Sequence, residues 1–267
     1  MKAASFAYAK PRALAEALEL IARPGAKVLA GGQSLIPSLN MRLSDPELLV
    51  DINGLAELRG IKFDKDMVRI GALTTHAEIE GSDVVKKHLP LIAEAVPHIA
   101  HPAIRNRGTI GGSLALADPA AEYPACVLAL DATLIATGRK GERRIKASDF
   151  FKSLFETDLK TGELLAAVEF KAQKKDQRSV FLELARRHGD YAIVGLAAFA
   201  ANGTKRLAYF GAADRAVLAR HAAQAKDLEA AKAALAKDLQ PPADLYHSPE
   251  TKLHLARVLL ERAWTRL

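Results

Sequence analysis

Two short segments of this 267-residue chain have the composition of a phosphate site: Ala30-Gly31-Gly32-Gln33-Ser34 and Thr109-Ile110-Gly111-Gly112-Ser113. Paired glycines leave peptide N–H groups unshielded, so several can converge on phosphate oxygens. Hydroxyls of Ser34, Thr109 and Ser113 add donors, and a helix N-terminus behind such a loop adds a favourable dipole. Two such loops from two lobes could clasp a pyrophosphate from opposite sides. Taken singly, each Gly-Gly pair also suits a plain tight turn. Neither segment fits G-x-G-x-x-G or a loop ending in G-K-[ST]. A nicotinamide-binding Rossmann domain and a P-loop nucleotidase are therefore disfavoured. Spacing alone reaches "binds something phosphorylated" and stops there.

Other chemistry is sparse. The one cysteine, Cys126, sits in the apolar run Pro124-Ala125-Cys126-Val127-Leu128 and reads as a packing residue. A single thiol builds no internal disulfide, iron–sulfur cluster or Cys-rich zinc site. His76, in a Thr-Thr-His context, reads as a helix-start residue. His101 and His188 lie beside the motifs without an assigned role. No histidine pair has the i, i+4 spacing of a zinc helix, so no metal site is expected. The net charge of +7 is dispersed, and the densest basic run, Arg139 to Arg144, reads as a hairpin tip, so nucleic acid is not the expected partner. No run of eighteen uncharged apolar residues suggests a membrane span. Met1 to Lys10 lacks the pattern of a signal peptide, which makes the cytoplasm the expected location.

The elements that would position the loops follow from periodicity. Leu14, Ala17, Leu18 and Ile21 keep helical spacing until Pro24-Gly25. Strands at Lys27–Ala30 and Leu48–Ile52 flank a helical piece, Leu35–Leu39, that Ser34 could cap, giving a small α/β lobe. A second lobe starts near Gly60, with a strand at Met67–Leu73, a helix start at Thr74 or Thr75, and a mostly helical stretch from Asp83 to Ile99. Arg105 to Ser113 reads as a loop and Glu122–Leu130 as a helix. Asp131–Thr137 with Arg143–Ala147 reads as a hairpin, Asp149–Leu154 as a piece capped by Ser148, and Leu164–Phe170 as a closing strand. After the polar run Gln173 to Arg178 come strands at Ser179–Ala185, Tyr191–Ala201 and Lys205–Gly211. The last two are joined at Asn202-Gly203, a hairpin dipeptide. Helices follow at Arg215–Ala223 and Ala225–Lys237, then a terminal helix with Ser248 as cap and Pro249 in its first turn. Leu253, Ala256, Leu260, Ala263, Trp264 and Leu267 line one face of it, which reads as core.

In order along nearly the whole chain, the motifs resemble the flavin-carrying medium subunit of the xanthine dehydrogenase and aerobic carbon monoxide dehydrogenase family. The resemblance rests on Ala30-Gly31-Gly32-Gln33-Ser34 with Leu35-Ile36-Pro37, Leu49-Val50-Asp51-Ile52-Asn53, and Ile70-Gly71-Ala72-Leu73-Thr74-Thr75-His76. It continues through Ile104-Arg105-Asn106-Arg107-Gly108-Thr109-Ile110-Gly111-Gly112-Ser113, Asp118-Pro119-Ala120-Ala121-Glu122 and Ala185-Arg186-Arg187-His188-Gly189-Asp190-Tyr191-Ala192.

That resemblance implies an α+β fold: a two-lobed FAD-binding domain of the vanillyl-alcohol oxidase and p-cresol methylhydroxylase type, plus a C-terminal domain of antiparallel sheet and helices. The expected boundaries are 1–172 for the FAD domain, with lobes of about 1–57 and 58–172, and 178–267 for the C-terminal domain. By similarity, Lys27, Val28, Leu29, Ala30, Gly31, Gly32, Gln33 and Ser34 with Thr109, Ile110, Gly111, Gly112 and Ser113 hold the pyrophosphate. Glu122 stands toward the ribose or adenosine, Asp118 belongs to the same cofactor-binding set, Leu165 offers a backbone contact to the flavin portion, and Tyr191 covers a face of the isoalloxazine. No catalytic residue and no metal ligand is expected in this chain. The FAD would be non-covalent, since no histidine stands in the first loop. Several relatives carry a lysine near Leu182–Glu183 that this chain lacks. The family scheme places molybdenum cofactor in a large partner subunit and [2Fe–2S] clusters in a small one, in a dimer of heterotrimers, with electrons passing through FAD to an external acceptor. Rival readings are a self-sufficient flavin reductase on the same fold and a non-redox assembly subunit.

Overall fold

A computed structural model describes residues 2–267. Its first sheet is parallel and three-stranded, from β1 (Ala7–Ala9), β2 (Ala26–Leu29) and β3 (Leu48–Asp51) in the order β1-β3-β2. Val50 of β3 pairs with Ala9 on one side and Val28 on the other. A parallel strand buried on both faces reads as a nearly continuous apolar run, which Leu48-Leu49-Val50 supplies. The helix Leu14–Ile21 buries Ala17, Leu18 and Ile21 against this sheet.

The second sheet is antiparallel. Its strands are β4 (Ile61–Asp64), β5 (Met67–Gly71), β6 (Thr133–Gly138) and β7 (Gly141–Lys146), and, beyond a small hairpin of β8 (Phe151–Ser153) and β9 (Glu156–Thr157), β10 (Leu164–Lys171). The spatial order β4-β5-β10-β6-β7 puts β10 at the centre, and its register slips between Leu165 and Ala167. A third, antiparallel sheet takes β11 (Arg178–Leu184), β12 (Val194–Ala201), β13 (Thr204–Phe210) and β14 (Val217–Leu218) in sequence. Asn202 and Gly203 join β12 to β13 with φ of 50° and 73°, the left-handed turn that dipeptide favours. The element types are those of the expected α+β class.

The helix Glu122–Ala129 is buried along its whole length. It packs on β12 and β13, so Tyr123 and Cys126 share one apolar core with Phe181, Ala197, Ala208 and Phe210. The opposite face of the third sheet buries Leu196, Leu207 and Tyr209 against Ala256, Leu260 and Ala263 of the terminal helix Pro249–Trp264. Ser248 caps that helix through the Thr251 N–H. Leu253, Trp264 and Leu267 pack half-buried against the same core, and Lys205 lies 4.5 Å over the Trp264 ring.

Five local expectations change. Ser34 precedes the helix Leu35–Asn40 but makes no side-chain cap bond. The stretch from Asp83 to Ile99 is three short helical pieces, Asp83–His88, Pro90–Ala95 and Val96–His98, because Pro90 and Pro97 each lack the N–H that would continue a helix. Ser148 lies inside a helix, Ala147–Phe150, and Phe151–Ser153 goes into β8. Helix near Arg215 is confined to Arg220–Ala223, since Val217 and Leu218 pair with Tyr209 and Ala208 to extend the third sheet. Most consequentially, Ile110 to Ser113 is not loop but the first turn of a helix, Ile110–Leu116.

Candidate functional site

The first glycine segment leaves β2 and reaches the helix Leu35–Asn40 in five residues, with every carbonyl but one spoken for. Ala30 O accepts from Asn53 Nδ2 at 2.7 Å, and Gly31 O from Gln33 Nε2 at 3.0 Å. Gly32 O accepts from Ile36 N at 3.0 Å, and Ser34 O from Ser38 N at 3.2 Å. Among the described residues, no peptide N–H from Gly31 to Leu35 donates to a protein acceptor. In a trans peptide the N–H points opposite the carbonyl, so spent carbonyls on one side leave donors on the other. Consecutive unspent N–H groups make an anion-binding concavity. Gly32 adopts φ +73°, where a side chain would be strained. Gly31 is required for another reason: a Cβ there would lie 2.3 Å from the Arg107 carbonyl oxygen and 2.8 Å from Gly108 Cα. The first segment there meets the Arg107–Gly108 backbone that leads directly into the second.

The second segment differs, and the expectation of two equivalent donor loops is corrected. Ile110 N donates to Thr74 O at 3.1 Å, Gly111 N to Ala72 O at 2.9 Å and Ser113 N to Thr109 O at 3.0 Å. Gly112 N donates to Thr109 Oγ1 at 3.1 Å, the side-chain cap of the helix. These donors are committed to the second lobe. The segment offers a ligand its hydroxyls, on Thr109 and Ser113. Gly111 serves packing, since a Cβ would fall 2.4 Å from Ala72 Cβ.

A cavity of about 740 Å³ runs between the segments, within the usual size range of cofactor pockets. Of the expected site residues, Lys27, Val28, Ala30, Gly31, Gly32, Gln33 and Ser34 line it from the first lobe, and Thr109, Gly111, Gly112, Ser113, Asp118, Glu122 and Leu165 from the second. Tyr191 lines it from the loop between β11 and β12, outside the strand expected to hold it, and is 72% exposed. Two expected residues fall elsewhere. Ile110 is fully buried in the core, and Leu29 borders a separate hollow behind the first segment. His101 and Arg186, which lie beside the motifs without a settled role in the sequence, also line it, and Ile99, Ala100, Leu164 and Asp190 are among the further lining residues that were not anticipated; apolar residues ahead of a proline and a polar loop carry no distinctive signal.

The electrostatics divide the cavity. Burial raises Asp118 and pushes Glu122 up to about 7. Glu183, near Glu122, is pushed up to about 8, first by burial and then by that neighbour. Burial also lowers His76 to about 4, keeping it neutral beside the Arg105 guanidinium. His76 begins the helix His76–Gly81, which Thr75 and Glu78 close with a capping box, and a Cβ on Gly108 would lie 2.6 Å from its Nε2. That ring is packed into the wall. Gly31 to Leu35, with their unspent peptide donors, line the cavity together with the apolar Ile99, Leu164 and Leu165 and the exposed ring of Tyr191. Such a donor set fits an elongated ligand with a diphosphate and a flat ring system.

Residues 4–170 match the family described as the FAD binding domain in molybdopterin dehydrogenase. The chain is 39% identical to the 6-hydroxypseudooxynicotine dehydrogenase complex subunit alpha of Paenarthrobacter nicotinovorans, over 98% of this chain and 94% of that protein. It is 39% identical to the carbon monoxide dehydrogenase medium chain of Hydrogenophaga pseudoflava, over 72% of this chain and 68% of that one. A solved carbon monoxide dehydrogenase from Hydrogenophaga pseudoflava, lacking the Mo-pyranopterin moiety of its cofactor, superposes with a TM-score of 0.95 at 34% identity, covering 100% of this chain and 98% of that chain.

Proposed function

The chain belongs to the family of FAD-binding medium subunits of molybdenum hydroxylases and is an oxidoreductase component; on that premise we propose that it relays electrons through a non-covalent FAD. The observation that carries the reading is the row of unspent peptide donors from Gly31 to Leu35 on a cavity that the exposed Tyr191 also lines. When bound, FAD supplies the redox chemistry, accepting and returning one or two electrons. The chain's own residues bind and orient. Gly31 to Leu35 grip the diphosphate with peptide N–H groups, braced by the strand Lys27 to Leu29 before them, and Thr109 and Ser113 add hydroxyl donors from the other lobe. Glu122 would stand toward the ribose or adenosine with Asp118 in the same binding set, Leu165 would offer a backbone contact to the flavin portion, and Tyr191 would cover a face of the ring, as aromatic planes favour. No group of this chain is asked to act as general base.

The electrons would come from [2Fe–2S] clusters of a small partner and originate at a molybdenum centre in a large one, within a dimer of heterotrimers in the cytoplasm. The relatives' names specify different substrates, 6-hydroxypseudooxynicotine and carbon monoxide. That difference between relatives each 39% identical to this chain over their matched lengths fits a substrate pocket on another polypeptide. We assign residues 1–172 to FAD binding, as lobes of about 1–57 and 58–172, and 178–267 to the C-terminal domain. The test is titration of purified chain with FAD, followed by mixing of the loaded chain with its partner subunits and an acceptor. Saturable binding and substrate-dependent reduction of the flavin only with partners present are expected. Absence of FAD binding overturns the reading, and steady NAD(P)H oxidation by the chain alone would make it a self-sufficient reductase.

A further inference from the structure

We infer that Asn53, held by Asp51 and Tyr8, is the positioning element that aims the first segment's peptide donors into the cavity. The inference rests on the FAD reading and assigns to it residues outside the glycine segments. Strand pairing fixes the chain as far as Leu29, whose carbonyl accepts from Ile52 N at 3.0 Å. Ala30 is the first residue beyond the ladder, and its carbonyl direction sets the direction of the Gly31 N–H across the same rigid peptide plane. Asn53 Nδ2 fixes that carbonyl at 2.7 Å with one hydrogen. Its second hydrogen goes to Asp51 Oδ1 at 2.8 Å, so both donors of the amide are used and the side chain has one orientation.

Asp51 is the anchor of this clamp. It is 8% exposed, its Oδ1 also accepts from Asn53 N at 2.9 Å, and its Oδ2 accepts from the Tyr8 hydroxyl at 2.6 Å. The clamp joins the ends of β1 and β3 to the turn leaving β2, so the whole parallel sheet braces one peptide plane. Gln33 repeats the device one residue on, holding the Gly31 carbonyl and thereby the direction of the Gly32 N–H. Donors fixed before the ligand arrives lose no conformational freedom on binding, and this gain is lost when the carbonyl is released.

The test compares wild-type chain with Asn53→Asp, nearly the same shape without the amide donors. FAD affinity is read by titration calorimetry, the fold by the melting temperature of the FAD-free chain, and the phosphate environment by phosphorus NMR of FAD-saturated protein. The expected result is affinity weakened about tenfold, with both phosphorus signals of bound FAD moved toward their positions in free FAD. Tyr8→Phe removes only the hydroxyl of a half-exposed side chain, keeps the fold, and is expected to weaken binding roughly threefold with a smaller shift in the same direction. It stands as the deciding variant if Asn53→Asp melts below the working temperature. Wild-type FAD binding with unchanged affinity and unchanged phosphorus signals in the folded variants overturns the inference and leaves the cofactor reading intact. Failure of the wild type to bind FAD overturns both.

Discussion

Gly31→Ala tests the meeting of the two segments most sharply. The added methyl would sit 2.3 Å from the Arg107 carbonyl oxygen and 2.8 Å from Gly108 Cα. Ordinary van der Waals contact begins near 3.4 Å, so one backbone must retreat by about 1 Å. Neither side yields cheaply. Leu29 is tied into the parallel sheet, and Gly108 donates to Ile104 O at 2.7 Å and accepts from His76 N at 2.9 Å. The first segment is the freer of the two, so it moves, and it carries the unspent donors. A displacement of about 1 Å turns a bond of normal length into one too long to count, and a hydrogen bond to a charged acceptor contributes roughly 1.5–3 kcal/mol. Loss of one or two such bonds to a diphosphate weakens FAD binding by about a hundredfold or more. The assay is flavin fluorescence titration of the FAD-free variant, beside its melting curve. Gly112→Ala is the milder comparison, because its methyl meets no backbone: it meets the Thr109 hydroxyl at 2.9 Å, at the cost of that helix cap, and Ala30 Cβ at 3.9 Å. An affinity for FAD within threefold of wild type in a folded Gly31→Ala would refute the claim that these donors bind the diphosphate.

Three further outcomes are expected. Ser113→Ala should weaken FAD binding a few-fold without moving the melting temperature, whereas Thr109→Val should also lower stability by about 1 kcal/mol through loss of a helix cap; both are read by titration and thermal melts. Tyr191→Ala, at a 72% exposed position, should leave stability unchanged and shift the flavin reduction potential, measured by spectroelectrochemistry. Glu122 ionises near its ordinary 4.5 in the unfolded chain but near 7 in the folded one, so its protonated form stabilises the FAD-free fold at low pH. That contribution fades as pH rises from 4.5 to 7 and is gone above. Glu122→Gln should make the fall shallower by up to about 3 kcal/mol, as read from chemical denaturation across that pH range, while the raised Glu183 and Asp118 keep their own share of it.

Much of the architecture was legible wherever a local rule decides it. Asn202-Gly203 requires left-handed backbone at both positions, and Ser248-Pro249 is a helix start by capping and by the missing N–H alone, so both elements stand where expected. The break at Pro90 was as local as these, and only the apolar spacing across it hid it. Elements fixed by distant partners were not legible. Val217 and Leu218 become strand because β13 has an open edge to pair, and Tyr191 leaves the strand because β12 pairs only from Val194 onward. Asn53 has the same character: its 23-residue reach to Ala30 exists only once β2 and β3 lie side by side.

The two Gly-Gly segments show most clearly where pattern ends and accounting begins. Their sequences make one offer, bare peptide nitrogens with a hydroxyl close by. In the second, Thr74 and Ala72 stand opposite with carbonyls that take the Ile110 and Gly111 donors, and Thr109 takes the next. In the first, the neighbouring side chains Asn53 and Gln33 are themselves donors, so they consume carbonyls and leave the N–H groups unspent. The sign of the neighbour decides the role. A segment braced by acceptors becomes a rigid wall, and a segment braced by donors becomes an anion cradle. The contact of Gly31 on the Arg107 carbonyl holds the cradle against the wall. A diphosphate between them therefore meets peptide donors already fixed on one side and, on the other, the hydroxyls of the cap residue Thr109 and of Ser113.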